Sequence, residues 1–164
     1  MPPPGYFGKV PARGDFVACR LVPALAEPWD VWLGLLTTAA HGATPAPDWP
    51  EAWLTAPLWR FALGAGLVPE PGAAGILVAS VDRVGRMFPF TVIGAAPGVP
   101  DEAWFDAAEA LALAALADDA DLDALDAGLV WLGPPGDVTP LEPGRSLWRC
   151  RGSVRMGPSE RLLH

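Results

Sequence analysis

Asp82, Arg83 and Arg86 stand together in SVDRVGRMFPF, residues 80 to 90, directly after the most apolar run of the chain. Carboxylate and guanidinium groups at this spacing support three kinds of chemistry. They could belong to a catalytic site, clamp an anionic ligand, or bind one another through paired hydrogen bonds and hold a turn shut. A second pair, Arg13 and Asp15 in ARGDFV, follows the first predicted strand and offers complementary charges to the same region. The brace is the favoured reading, because an Arg–Asp network fixes two loops against each other without any reaction. The alternative is a pocket lined by Arg13, Arg83 and Arg86 that takes a small ligand or a phosphoester.

Other patterns that catalysis requires are missing from the sequence. Ser80 precedes Asp82, but a serine without a base is not an activated nucleophile. No serine has the G-x-S-x-G context, and no glycine run has the spacing of a phosphate loop or a dinucleotide fingerprint. His41 and His164 have no carboxylate or second histidine at metal-binding spacing, so no metal site is expected. His41 instead falls at a predicted helix end, where an imidazolium suits the negative end of the dipole. The acidic run DDADLDALD, residues 118 to 126, lacks the loop glycine and closing glutamate of a calcium loop and reads as a solvated helix junction. Cys19 and Cys150 are far apart and outside any CxxC pair, which points to partly buried thiols in a reducing compartment. Neither a cofactor nor an enzymatic activity is expected.

Twenty prolines and 18 glycines divide the chain into short elements with no linker of different composition, so one domain over 1–164 is the expectation. GYFGKVP reads as a strand ended by Pro11, and ARGDFVACRLVP as a loop. A helix follows over about 23–40, its start near Glu27 to accommodate Pro28, with Leu25, Trp29, Trp32, Leu33 and Leu36 on one stripe and Gly42 as the C-cap. A short helix near 49–55 leads to a strand in PLWRFALGAG. GILVASV, residues 75–81, is a continuous apolar run and predicts a strand covered on both faces. FPFTVIGAA, from Phe88, then pairs with it in antiparallel fashion across a short glycine-containing connection. Residues 101–132 predict two helices, the first capped by Asp101, the second capped by Asp119 or Asp121 and closed by Gly128. After a turn-rich loop, SLWRCRG reads as a last strand and PSERLLH as a terminal helix. Adjacent strands mixed with helices give an α+β fold with a mainly antiparallel sheet.

A composition that is 51% hydrophobic and 18% charged is sufficient for a sizeable core. The net charge of −8 and pI near 4.5 disfavour nucleic acid and anionic membranes as partners and leave a basic protein surface open. No segment reads as a signal peptide or a membrane span, and a cytoplasmic location is expected. The eight tryptophans read mainly as core, with Trp29, Trp53 and Trp59 also candidates for an aromatic interface.

Three long words, GYFGKVPARGDFV at 5–17, WLTAPLWRFALGAG at 53–66 and GILVASVDRVGRMFPFTV at 75–92, together resemble the TagF family of type VI secretion-associated proteins. PWDVWL in the first helix and SLWRC near the end extend the resemblance over nearly the whole chain, with Arg149 standing where the family often has a second aromatic. The resemblance implies a longin-like or profilin-like sandwich, a central antiparallel sheet with helices packed against it. It also implies a regulator: a post-translational repressor of type VI secretion that holds a forkhead-associated scaffold protein away from assembly. The family attaches no catalytic residue to this domain, and neither the contact surface nor an oligomeric state follows from the sequence.

Overall fold

The computed structural model describes residues 1–150. It contains a six-stranded antiparallel sheet in the order β2-β1-β5-β4-β3-β8. The strands are β1 (Gly5–Gly8), β2 (Val17–Cys19), β3 (Trp59–Leu63), β4 (Ala73–Val78), β5 (Phe90–Ala95) and β8 (Ser146–Cys150). Helix α1 (Pro23–Gly42) covers one face, and α3 (Glu102–Ala114) with α4 (Leu122–Leu132) covers the other. The short α2 (Trp49–Leu54) precedes β3, and a ribbon of β6 (Gly98–Pro100) and β7 (Val138–Pro140) flanks the α3–α4 pair. This is the expected α+β architecture, with helices on both sides of a mainly antiparallel sheet.

Strand alternation explains the three layers. Along β4, Ile76 and Val78 face α3 and α4, whereas Ala73 and Leu77 face α1, and all six residues of the strand are buried. The continuous apolar run therefore marks a strand covered on both faces, as expected, and its partner is β5 in antiparallel register. On α1, Trp29, Leu33, Leu36 and Ala40 make the buried stripe, while Leu25 and Trp32 are only partly covered.

Several boundaries differ from the sequence reading. Helix α1 starts at Pro23 and carries Pro28 within its second turn. The carbonyl that Pro28 cannot satisfy belongs to Ala24, on the exposed side of the helix where water can reach it. Gly42 is the last helical residue and Ala43 is the cap, in a right-handed conformation that needs no glycine. Gly128 does not close α4 but lies inside it against Leu111; the helix runs on to Leu132 and ends at Gly133, whose φ is 67°. Of the two proposed caps, Asp121 is the one used, accepting from the N–H groups of Asp123 and Ala124, and Asp101 caps α3 through Trp104 N–H. Strands β2, β6 and β7 lie in segments read as loops; each is three residues long, too short to show an alternation. The expected terminal helix in PSERLLH lies outside the described residues.

At Gly75 strands β4 and β5 approach so closely that an added Cβ would sit 1.8 Å from the Val92 carbonyl oxygen. Backbone in the middle of a sheet cannot give way as a side-chain tip can. Gly75→Ala is therefore expected to cost about 3 kcal/mol, the upper end of overpacking penalties, measured by denaturant unfolding of the two proteins side by side.

Candidate functional site

The β4–β5 connection is an extended hairpin arm. Val81 bridges Met87, Phe88 N–H donates to the Ser80 carbonyl, and Asp82 N–H donates to the Arg86 carbonyl at 3.0 Å. Three residues close the loop, with Gly85 at φ 88° taking the left-handed position that a one-residue bulge requires. This geometry turns the Asp82 side chain inward, where it is 2% exposed.

Four donors meet that carboxylate. Val84 N–H and Arg86 N–H both bond Oδ1 at 3.0 Å. On Oδ2, Arg86 Nε approaches to 2.7 Å and Lys9 Nζ to 3.1 Å. Lys9 is itself buried and its ammonium lies 4.9 Å from the ring centre of Phe16. Burial pushes the Asp82 carboxyl up, but the Arg86 backbone, the Lys9 and Arg86 side chains and the Val84 backbone together outweigh it. The net effect holds the group well below the ordinary carboxylate range.

The sequence-derived residues divide accordingly. Asp82 and Arg86 meet as expected, and Arg86 Nη2 also reaches the Gly14 carbonyl at 2.8 Å, tying the arm to the loop after β1. Arg83 does not touch Asp82: its Nη2 donates to the Ala12 carbonyl at 2.5 Å and its N–H to the Arg13 carbonyl at 2.7 Å. Arg13 contributes backbone, its exposed side chain donating only to the Ala12 carbonyl, and Asp15 accepts from Phe16 N–H. The loop is thus held through its carbonyl groups rather than through the expected Arg13 and Asp15 side chains. The residue that sequence reasoning missed is Lys9. It is the only lysine among 164 residues and stands beside an apolar strand, where a charge needs a partner.

A second charged centre lies on the face of the sheet covered by α3, next to the edge strand β8. Arg60, the second residue of β3 and 4% exposed, donates to Glu102, Asp106 and Glu109 at 2.6–2.9 Å. These three acids occur at i, i+4 and i+7 on one face of α3, a spacing readable in the sequence. Burial lowers the affinity of Arg60 for its proton, and the hydrogen bonds to Asp106 and Glu109 more than restore it. Arg149 on β8 adds an ion pair to Glu102 at 2.5 Å and, with Arg60, brackets the Phe105 ring, each guanidinium 5.6 Å from its centre.

The proposed aromatic interface is corrected by the packing. Trp29, Trp53 and Trp59 are 5%, 6% and 3% exposed, and Trp29 and Trp53 spend their indole N–H on Thr91 Oγ1 and the Ser80 carbonyl. They are core side chains because α1, α2 and β3 enclose them. The tryptophan that faces solvent is Trp131. Among the described residues no buried side-chain nitrogen or oxygen lacks a partner, and no cluster of three metal-ligating side chains occurs. No described helix is long and apolar enough to cross a membrane.

Sheet, helical layers and internally bonded charges define an α/β/α domain whose buried polar groups hold structure together. Residues 5–132 match the model of the TagF N-terminal domain, type VI secretion system-associated, and the chain belongs to that family. The fold is similar to that in the crystal structure of PA0076 from Pseudomonas aeruginosa PAO1, with a TM-score of 0.73 and 33% sequence identity. The similarity covers 98% of this chain and 74% of that one. No curated protein matches the sequence.

Removing the Asp82 carboxylate strands a buried ammonium and two N–H groups. Asp82→Ala is expected to cost about 3–5 kcal/mol, whereas Arg86→Ala, whose side chain is 63% exposed, should cost about 1 kcal/mol or less. Urea unfolding of both variants checks the contrast; a folded Asp82→Ala of unchanged stability that loses partner binding would make Asp82 a ligand clamp. The acid limb provides a second check. Because the folded carboxyl titrates below its ordinary value of 3.8, its contribution is complete above about pH 4 and drains away as the pH falls toward the folded value. Stability of the wild type should therefore drop more steeply below pH 4 than that of Asp82→Ala, in chemical unfolding series across that range.

Proposed function

We propose that this domain is a non-enzymatic, cytoplasmic regulator that represses type VI secretion through protein contact, with a forkhead-associated scaffold protein of the apparatus as its partner. The match of residues 5–132 to the secretion-associated family carries the reading. The physical chemistry of the charged centres supports it. The Asp82 carboxylate is held ionised by four donors, so it is a poor proton acceptor at neutral pH and an unsuitable general base. Arg60 has its charge occupied by three carboxylates. Ser80 Oγ donates to the Val81 carbonyl oxygen. What such a domain offers a partner is its surface, and that surface is acidic.

The alternative of an arginine-lined ligand pocket has less in its favour, since the guanidinium groups of Arg13, Arg83 and Arg86 end on the carbonyl oxygens of Ala12 and Gly14. Thermal shift against nucleotides and phosphate compounds is expected to be flat, and a saturable rise would favour that alternative. The direct test is retention of the forkhead-associated scaffold from the same bacterium on the immobilised full chain, paired with secretion assays on overexpression. Retention with reduced secretion is the expected outcome. Failure to retain the scaffold at micromolar concentration, or turnover of any substrate, would overturn the proposal.

A further inference from the structure

Helix α4 and the turns on either side of it combine two features. Trp131 is 93% exposed and its neighbour Val130 is 51% exposed, in a chain whose other seven tryptophans are buried or half-buried. Ala124, Ala127 and Trp131 follow one another at helical spacing, so a flat strip of small side chains leads up to the indole. The opposite face of the same helix is anchored by Leu122, Leu125 and Leu129. Just beyond it the Gly133 carbonyl accepts the Trp104 indole N–H at 3.0 Å, and the β6–β7 ribbon joins the flanking segments. Trp131 therefore projects from a rigid platform, which lowers the ordering cost of any contact it makes.

The second feature is charge. Residues 101–137 hold ten Asp and Glu and no Lys or Arg. Glu102, Asp106, Glu109 and Asp126 are drawn onto Arg60, Arg149 and Arg20. Asp118, Asp119, Asp123 and Asp137 have no ion pair among the described residues. We propose that the Trp131 face of α4 is the docking surface of this domain, and that its occupant is a Lys/Arg-rich protein surface offering an apolar notch to the indole. Charge complementarity selects that occupant. A second copy docking α4 on α4 would bring the same acids together, and anionic lipid or nucleic acid would be repelled. Tryptophan surrounded by weaker contacts is the usual composition of a binding hot spot. The inference rests on reading the domain as an interaction module.

Two arms test it. In the first, the full chain is titrated by NMR with a synthetic amphipathic helix bearing leucines on one face and lysines on the other, at low and physiological ionic strength. Shift changes confined to residues 118–137 are expected, with binding about 30-fold weaker in Trp131→Ala and less salt-sensitive in the triple Asp118→Asn, Asp119→Asn, Asp123→Asn variant. Because these side chains are exposed, the variants should keep the wild-type melting temperature. Absent binding, equal binding by Trp131→Ala, shifts elsewhere, or Trp131-dependent self-association in sedimentation would overturn the proposal. In the second arm the forkhead-associated scaffold replaces the peptide. Equal retention by wild type and Trp131→Ala would remove this surface and leave the regulatory reading standing. No retention by wild type would remove the regulatory reading, and the peptide arm would still decide whether the α4 face binds cationic surfaces.

Discussion

A carboxylate with 2% of its surface in water is stable only if its lone pairs are occupied, and at Asp82 the fold meets that condition by bringing separate stretches of chain to one point. The end of β1 delivers Lys9, and the three-residue turn delivers Arg86 and two backbone N–H groups. Arg83 and Arg86 then carry the linkage to the loop after β1 through its carbonyls, while Trp53 of α2 bonds the Ser80 carbonyl on the same arm. Apolar contacts converge on the same region, with Phe16 and Phe88 meeting edge to face at 4.8 Å and Val10 fully buried, but they do not satisfy the charge. The cost of desolvating one charge is returned as geometry: if the arm twists away, an ammonium and a carboxylate are left unpaired in the interior.

The helical layer is tied down by charges at both ends of one row across the sheet. Antiparallel register places Cys19, Tyr6, Val92, Ile76, Arg60 and Arg149 in line on the face that α3 and α4 cover. The middle of the row is apolar and joins the core. At one end Arg60 and Arg149 hold α3, and at the other Arg20 and the Cys19 thiol bond Asp126 of α4. Burial and the hydrogen bond to Asp126 push the Cys19 thiol up, so it serves as a weak donor rather than a reactive thiolate. Apolar packing alone would let a helix pair slide along a flat sheet; ion pairs at the two ends set its position, a directional role that non-directional burial cannot perform.

What was legible in the sequence follows from the range of the interactions that decide each feature. The β4–β5 pair, the stripe of α1 and the Asp101 cap are set by neighbours within a few residues, and periodicity or capping chemistry exposes them. The Asp82–Arg86 pair was readable for the same reason, since four residues across a glycine turn must meet. Lys9 is 73 positions from Asp82 and Arg60 is 42 to 49 from its acids, distances that only register resolves. Both nevertheless leave a trace, a lone charge next to or inside an apolar strand. Gly128 was misread because a glycine near a helix end reads as a stop, whereas here it makes room for Leu111 of the neighbouring helix. The tryptophans read mainly as core, and most are; composition could not say which one would stand outside, because burial depends on which helix lies overhead.

The same accounting of charge shapes the outside of the molecule. Lys9 and Arg60 are buried, and Arg20, Arg86 and Arg149 are turned onto acids or carbonyls of the chain itself, so these five cations are engaged within the fold. An acidic chain that spends its few bases this way leaves its surplus carboxylates facing water, concentrated where residues 101–137 contain no base at all. Such a field raises the encounter rate with cationic surfaces and keeps like copies apart, an effect that weakens with salt. Interior charge pairing and exterior sign are therefore one property of the sequence: restoring bases to the surface without breaking the Asp82 and Arg60 centres would alter what the domain meets while leaving how it folds intact.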